Sequence, residues 1–360
     1  MELFRNFKSV TRTCYGRGSF NKLGEIIAPQ RTANDGFFVF VVDDYFEGKA
    51  DFVDRIPRSE GDELHFISVL KEPTTELIDA LRDDVLERRG LPAGIVGIGG
   101  GSVMDIAKAA SLMFTNEGSS VQYQGLNLIK KPGIYHCGVP TISGTGAEVS
   151  MTAVLTGPVK KLGLKCDWTV FDQIVLDPDL IASVPRDQWF YTGMDTYIHS
   201  VEAITGTKKN TFAEAYSEKA LEMCREVFLR MDRSNVKSDE TLMVASYMGG
   251  LSLTYSEVGV CHALSYGLGK VLELHHCIAN CIAFDKLEDV YGDHVQEFKG
   301  MVKHLGVHIP QGLAKDWSEE TITAMAEVAY NLPHMWDHAF GPNWQQVLDR
   351  ERIKGWYRRM

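Results

Sequence analysis

The segment Ile95-Val-Gly-Ile-Gly-Gly-Gly-Ser102 is an apolar run that ends in three glycines, and a helical pattern containing Asp105 and Lys108 follows it. Because glycines 99–101 carry no Cβ, the backbone can turn sharply there and bring its N–H groups against an anion. A helix that begins near Ser102 adds the partial positive charge of its N-terminus. The segment predicts a strand–turn–helix unit that binds a pyrophosphate. A tight turn without a ligand is the alternative.

The segments around this turn predict the fold. Short apolar, β-branched runs (Phe37–Val42, Ile134–Pro140, Ile174–Leu176) alternate with helical patterns at Thr74–Arg89 and Val103–Phe114. This alternation of strand and helix patterns favours an α/β, Rossmann-like domain with a parallel sheet. After Val184-Pro185 the pattern becomes helical, in segments Gln188–Thr205, Thr211–Met231, Asp239–Tyr255, Cys261–Leu274 and Thr321–Asn331. We therefore predict an α/β dinucleotide-binding domain at 1–183 and an all-α, metal-binding domain at 184–360.

Length and composition exclude several classes of protein. The chain has 360 residues, and 37 Lys and Arg against 48 Asp and Glu give a net charge of 37 − 48 = −11. This acidity argues against a nucleic-acid partner, and no apolar stretch is long enough to span a membrane. The seven cysteines are odd in number and form no CxxC pair, which favours a reducing cytoplasm over a disulfide framework.

Two further segments carry groups suited to a dinucleotide. Asp43 stands at the end of the Phe37–Val42 strand, where a carboxylate can accept from ribose hydroxyls and repel a 2′-phosphate, which favours NAD over NADP. A solvated turn is the alternative for Asp43. The loop Pro140-Thr-Ile-Ser-Gly-Thr-Gly-Ala-Glu148 places hydroxyls and glycines after another strand, as a loop facing phosphate or nicotinamide requires.

Four side chains in the helical half are candidate metal ligands. Asp195 and His199 are four residues apart, so they share one helix face and can hold one divalent ion. An exposed Asp–His hydrogen bond is the alternative. His262 lies in an apolar helical segment, where a histidine is more often a packed core residue, and His276 follows after 276 − 262 = 14 residues.

In order along the chain, these motifs resemble the iron-containing (group III) alcohol dehydrogenase family. The resemblance runs from Tyr15-Gly-Arg-Gly-Ser-Phe20 through the glycine turn, the PTISGTGAE loop and Gly193-Met-Asp-Thr-Tyr-Ile-His-Ser-Val-Glu202 to the two histidine segments. It implies that Asp195, His199, His262 and His276 bind a divalent metal, Zn or Fe. It also implies that Gly100, Gly101, Ser102, Asp105, Thr141, Thr145 and Lys161 lie around the dinucleotide, with a homodimer as the assembly.

The resemblance implies metal-dependent, NAD- or NADP-linked oxidation of a primary alcohol. The chain departs from the family at Tyr266, where a second histidine is usual, at Ile142 and at Tyr255, which replaces an asparagine. Tyr266 is therefore a candidate for handling the proton. Within the family the chain looks similar to the enzymes of lipopolysaccharide sugar modification that oxidise the C8 hydroxyl of the sugar acid 3-deoxy-D-manno-octulosonate. A lyase of the dehydroquinate-synthase type with transient NAD redox, a dehydrogenase of another polyol or small alcohol, and an inactive binding protein are the alternatives.

Overall fold

The structure is a computed structural model, and it describes residues 7–34, 36–231 and 233–360. The chain folds as two compact units. The first contains the residues up to Ile142 together with Ala147–Ser183, and the second contains Ser143–Gly146 together with Val184–Met360.

A parallel sheet forms the centre of the first unit. The strands of this unit are β1 (Arg12–Tyr15), β2 (Phe38–Asp43), β3 (Glu63–Ile67), β4 (Gly94–Gly99), β5 (Gly125–Leu126), β6 (Tyr135–Pro140), β7 (Thr152–Thr156), β8 (Lys161–Lys165) and β9 (Gln173–Leu176). Within the described residues, six of them lie in the order β1-β9-β6-β4-β2-β3, and each neighbouring pair is parallel. The predicted α/β fold with a parallel sheet is confirmed.

The apolar composition of the central strands explains why they form this sheet. Residues 38–42 of β2 and all of β4 are buried, as parallel strands covered on both faces require. The helices of this unit are α1 (Leu23–Asn34), α2 (Ala50–Val53), α3 (Thr75–Arg89) and α4 (Gly101–Met113). Helix α3 begins where Thr74 Oγ1 accepts from Leu77 N–H, and it ends before Gly90 at φ +80°.

A second, smaller sheet also belongs to the first unit. Strand β8 lies between β5 and β7, antiparallel to β7 and parallel to β5. The sequence pattern predicts neither β7 nor β8, although residues 152–156 alternate between half-buried and buried positions. The cause is the apolar triplet at 153–155, which hides the two-residue period of the strand.

The regular secondary structure of the second unit is helical within its described residues, so the prediction of an all-helical C-terminal region is confirmed. Its helices are α5 (Arg186–Thr205), α6 (Thr211–Arg230), α7 (Val236–Tyr255), α8 (Val260–Leu272), α9 (His276–Phe284), α10 (Glu288–Tyr291), α11 (Asp293–Leu305), α12 (Glu319–Tyr330), α13 (Pro333–Phe340) and α14 (Arg350–Tyr357). Helix α5 packs against α6, α7, α8 and α9. Across the described part of the chain, no helix combines the length and apolarity that a membrane span needs.

The short loop Ser143–Gly146 is held by two helices of the second unit. Gly144 N–H donates to Ser246 Oγ on α7 at 2.7 Å, and Thr196 Oγ1 on α5 donates to Gly144 O at 2.7 Å. A Cβ at Gly144 would lie 1.7 Å from the carbonyl oxygen of Thr192. Only glycine therefore allows this loop to approach α5 so closely.

Candidate metal centre

Four side chains from three helices converge in the second unit. Asp195 and His199 lie one turn apart on α5, His262 lies in the first turn of α8, and His276 is the first residue of α9. One ligand atom from each of the four lies within 4.8 Å of all the others. Asp195, His199 and His262 are buried, and the His276 side chain is 26% exposed. The four residues predicted as metal ligands are thus brought together.

The distances between these atoms suit a single divalent ion. Asp195 Oδ1 lies 3.3 Å from His262 Nε2, 3.6 Å from His199 Nε2 and 3.7 Å from His276 Nε2. Ligand atoms about 2.0–2.2 Å from one tetrahedral ion are about 3.3–3.6 Å from one another. One carboxylate oxygen and three imidazole nitrogens are also a donor set that first-row divalent metals accept. The residues present therefore fit a metal centre.

Burial and mutual charge shift the pKa values of the cluster in opposite directions. Burial lowers the pKa of His199 to about 4, because the attraction of Asp195 only partly offsets the loss of water and the neighbouring histidines repel a second charge. Burial alone would lower the pKa of His262 as well, but the Glu202 and Asp195 carboxylates raise it to about 9. Burial alone would raise the pKa of Asp195, but the three histidines hold it well below its ordinary value. The Asp195 carboxyl is therefore an ionised acceptor, as a metal ligand must be.

Sequence reasoning missed two polar residues that contact the cluster. Glu202 Oε2 accepts from His262 Nδ1 at 2.5 Å. Asn280 Nδ2 donates to Asp195 Oδ1 at 2.7 Å. The helical period could have found both, because Glu202 is seven residues after Asp195 on α5 and Asn280 is four residues after His276 on α9.

The predicted dinucleotide residues at the strand ends of the first unit lie close together. Gly100 is the N-cap of α4, and Gly101 and Ser102 are its first residues, so their N–H groups lie at a helix N-terminus. Thr141 N–H donates to Gly99 O at 2.9 Å. A Cβ at Gly99 would lie 3.2 Å from Asp43 Cβ. Asp43 and Thr141 therefore flank the glycine turn at the carboxyl ends of parallel strands, where α/β sheets bind ligands.

The remaining residues predicted around the dinucleotide are placed differently. Asp105 Oδ2 accepts from Val154 N–H at 3.1 Å, and burial raises the pKa of Asp105 above its ordinary value. Lys161 at the start of β8 forms an ion pair with Glu72 at 3.0 Å. Thr145 lies in the second unit, in the loop Ser143–Gly146. The structure thus groups five of the eight predicted residues at the glycine turn, and the nucleotide role of all eight stays a prediction.

Tyr266, the candidate proton-handling residue, lies beside the cluster. It is four residues after His262 on α8, and its ring centroid is 6.0 Å from that of His276. The side chain is partly buried. Its position is therefore compatible with the predicted role, which stays a prediction.

Comparison with known proteins identifies the family. A family model described as iron-containing alcohol dehydrogenase matches residues 10–178, and a model for the C-terminal part of the same family matches residues 189–336. The chain belongs to the iron-containing alcohol dehydrogenase family. The predicted family resemblance is confirmed at this level.

Two curated relatives are similar to the chain in sequence. The NAD-dependent methanol dehydrogenase of Bacillus methanolicus is 28% identical over 263 residues, which cover 72% of this chain and 67% of the relative. A sulfoacetaldehyde reductase of Bilophila wadsworthia is 29% identical over 191 residues, which cover 51% of this chain. The match spans about half of that reductase, 49% of its length.

A solved structure is similar to the chain in fold. A 1,3-propanediol oxidoreductase superposes with a TM-score of 0.85 over 99% of both chains at 20% sequence identity. At this level of identity the likeness establishes the fold alone.

Proposed function

We propose that the chain is a metal-dependent oxidoreductase that interconverts an alcohol and a carbonyl compound with NAD or NADP. The observation that carries the proposal is the convergence of Asp195 with three histidine Nε2 atoms at 3.3 to 3.7 Å. Membership of an alcohol dehydrogenase family supports it. When bound, a divalent cation supplies Lewis-acid polarisation of the substrate oxygen.

The residues of the chain perform the binding and positioning steps of this proposal. The N–H groups at the start of α4 bind the pyrophosphate of the dinucleotide, and Asp43 accepts from its ribose hydroxyls. Oxidation of a primary alcohol releases a hydride, which the nicotinamide accepts, and a proton. Tyr266 is the side chain that we assign to the passage of that proton.

We propose Fe(II) or Zn(II) as the ion. Three imidazole nitrogens and one carboxylate oxygen suit both metals, and the affinity order of divalent metals does not select between them. The family description favours iron. Metal-free protein loaded anaerobically with Fe(II) and, separately, with Zn(II) will show which ion supports turnover.

We further propose that the substrate is a sugar acid with a terminal primary alcohol, such as 3-deoxy-D-manno-octulosonate oxidised at C8 during lipopolysaccharide sugar modification. Tyr255, which replaces an asparagine usual in the family, stacks on Phe212 with ring centroids 5.2 Å apart, and Tyr216 packs beside it at 5.6 Å. By the family resemblance, position 255 lies where the substrate binds, so the change from asparagine to tyrosine argues against a short alkanol. The name of the sulfoacetaldehyde reductase indicates that a relative accepts an anionic substrate.

Nicotinamide reduction over a panel of alcohols tests this function. The metal-loaded protein should accumulate NADH or NADPH in amounts equal to the carbonyl product, and the sugar acid should give a higher kcat/KM than methanol or 1,3-propanediol. Turnover without accumulation of reduced nicotinamide would favour the lyase alternative. A higher kcat/KM with a short alkanol would overturn the sugar-acid assignment alone.

We also propose that the enzyme is a homodimer and works in the cytoplasm. All seven cysteines are free thiols in the structure, which suits a reducing compartment. Light scattering of the purified protein tests the dimer, and cell fractionation tests the compartment.

A further inference from the structure

Glu202 is a fully buried carboxylate that reaches the metal cluster from α5. It lies three residues after His199 on the same helix, and its side chain has no exposed surface. An ionised carboxylate is costly to bury unless a charge partner and hydrogen bonds compensate it. The partners of Glu202 therefore indicate why a carboxylate is present at this position.

Both carboxylate oxygens of Glu202 accept from groups at the start of α8. Oε2 accepts from His262 Nδ1 at 2.5 Å, and Oε1 accepts from Cys261 N–H at 2.7 Å. The hydroxyl of Tyr291 donates to Oε1 at 2.7 Å and accepts from Val260 N–H at 3.1 Å. Glu202 thus holds the first turn of α8 and the ring of His262 in one network.

This network fixes which nitrogen of His262 faces the cluster. Since an ionised carboxylate can only accept, Nδ1 of His262 carries a proton and faces Glu202, so Nε2 is the nitrogen that faces the cluster, where a metal ion takes the place of a proton. That Nε2 lies 3.3 Å from Asp195 Oδ1 and 3.2 Å from Asn280 Nδ2. A histidine held in this way is a preoriented metal ligand.

The restraint on His262 differs from that on His199. His199 Nδ1 is buried and has no hydrogen-bond partner within the described residues. The two rings are stacked, with centroids 4.6 Å apart and planes at 15°. Glu202 therefore orients His262 directly and confines the neighbouring His199 ring only through this stacking.

Glu202 also changes the charge of the site. Asp195 supplies one negative charge to the cluster, and Glu202 supplies a second through His262. Two carboxylates balance one divalent cation, which lowers the cost of holding that cation in a buried site. A neutral residue at position 202 would remove this balance.

We propose that Glu202 is a positioning residue of the metal centre, which holds His262 as an Nε2 ligand and supplies the second negative charge that a buried divalent ion requires. The inference rests on the proposed metal-dependent function.

The test compares Glu202→Gln with Tyr291→Phe. Glu202→Gln keeps the size of the side chain but removes the charge, whereas Tyr291→Phe disturbs the same network and keeps the carboxylate. Metal-free protein is titrated with Co(II), and affinity is measured by chelator competition. Glu202→Gln should bind about 10- to 100-fold more weakly, as loss of a carboxylate behind a histidine ligand does. Its Co(II) absorption spectrum should change, while Tyr291→Phe keeps the affinity and spectrum of the wild type.

The outcomes separate this inference from the proposed function. Wild-type affinity and an unchanged spectrum in Glu202→Gln would overturn the role of Glu202 and leave the metal centre intact. Equal losses in both variants would assign the effect to packing at α8 and also overturn it. A wild-type protein that binds no Co(II), Fe(II) or Zn(II) would overturn the metal centre and the inference together. If Glu202→Gln does not fold, Glu202→Asp replaces it, because aspartate retains the charge with a shorter reach. Glu202→Asp should lose less Co(II) affinity than the loss of about 10- to 100-fold expected for Glu202→Gln. Wild-type affinity for Co(II) in Glu202→Asp would overturn the inference.

Discussion

Asn280 Nδ2 donates to Asp195 Oδ1 at 2.7 Å, so an amide on α9 fixes the one carboxylate of the metal cluster. The same nitrogen lies 3.2 Å from Nε2 of both His262 and His276. Asn280 is fully buried and four residues after His276. One side chain therefore contacts ligands from α5, α8 and α9, and it fixes Asp195 by a direct hydrogen bond.

Replacing Asn280 with Leu should weaken metal binding. The substitution keeps a similar volume but removes the donor to Asp195, and loss of such a supporting hydrogen bond reduces metal affinity about 10- to 100-fold. Chelator competition measures the loss. Asn331→Leu changes an exposed asparagine at the end of α12 and serves as the control. Equal affinity in the two variants would show that Asn280 does not support the site.

Replacing Gly99 with Ala should reduce both stability and nucleotide affinity. The new Cβ would lie 2.6 Å from Val103 Cγ2 and 2.8 Å from Val103 Cβ, which forces α4 away from β4. Overpacking of this kind costs about 1–3 kcal/mol. Urea unfolding gives the stability, and calorimetric titration with NAD gives the affinity.

Gly300→Ala is the matched control for this glycine. Gly300 lies inside α11 with no atom within 4 Å of an added Cβ. Alanine should stabilise the helix there by about 0.5–1 kcal/mol, without effect on NAD binding. Unimpaired NAD binding by the Gly99 variant would contradict a phosphate site at the turn.

Asp172 should stabilise the first unit at neutral pH but not in acid. Its Oδ2 accepts from His136 N–H at 3.1 Å and from His136 Nδ1 at 3.0 Å. Burial alone would raise the pKa of Asp172, but these bonds and the charge of His136 lower it. A lowered pKa means that the stabilisation is present above the ordinary value of about 3.9 and is lost as the pH falls through the folded-state value.

Asp172→Asn should therefore lower the free energy of unfolding by about 1 kcal/mol at neutral pH. The loss is small because the Asp172 side chain is 38% exposed. The difference from the wild type should shrink in acid. Urea unfolding of the wild type and the variant, at neutral pH and in acid, measures this difference in the free energy of unfolding. A difference that persists unchanged in acid would show that the carboxylate charge is not its source.

Tyr266→Phe should reduce turnover without loss of metal. A side chain that moves a proton in the rate-limiting step contributes about 10²- to 10⁴-fold to the rate, whereas a partly buried ring loses little stability on removal of its hydroxyl. Steady-state kinetics across pH and metal analysis measure the two effects. Tyr330→Phe keeps the packing of a partly buried ring on Trp344 and controls for loss of a tyrosine hydroxyl. An unchanged pH–rate profile in Tyr266→Phe would remove Tyr266 from the proton path.

Local patterns in the sequence predicted the central strands and the long helices α5 to α8, but they predicted neither β3, β7, β8 and α9 nor the ends of the helices. Helix α7 begins at Val236 instead of the predicted Asp239, because Asn235 Oδ1 accepts from Lys237 N–H and starts the helix earlier. Helix α4 begins at Gly101, next to the predicted start near Ser102, although the apolar pattern itself begins only at Val103.

The candidate site could be predicted only in part. Helical spacing relates Asp195 to His199 and could have indicated Glu202. No local pattern places His276 beside Asp195, since the two are 276 − 195 = 81 positions apart in the chain. Their proximity follows from the packing of α9 against α5, which is a tertiary contact. At the sequence level, the convergence of all four residues therefore followed only from the family resemblance.

Metal content after removal of single ligands tests the central claim most directly. The wild-type protein loaded with Fe(II) or Zn(II) and then desalted should retain one ion per chain by elemental analysis. His262→Ala and His276→Ala, measured separately, should each lose the ion and the nicotinamide-linked turnover, because each removes one of the four converging donors. Full metal occupancy and full turnover in either variant would contradict the account.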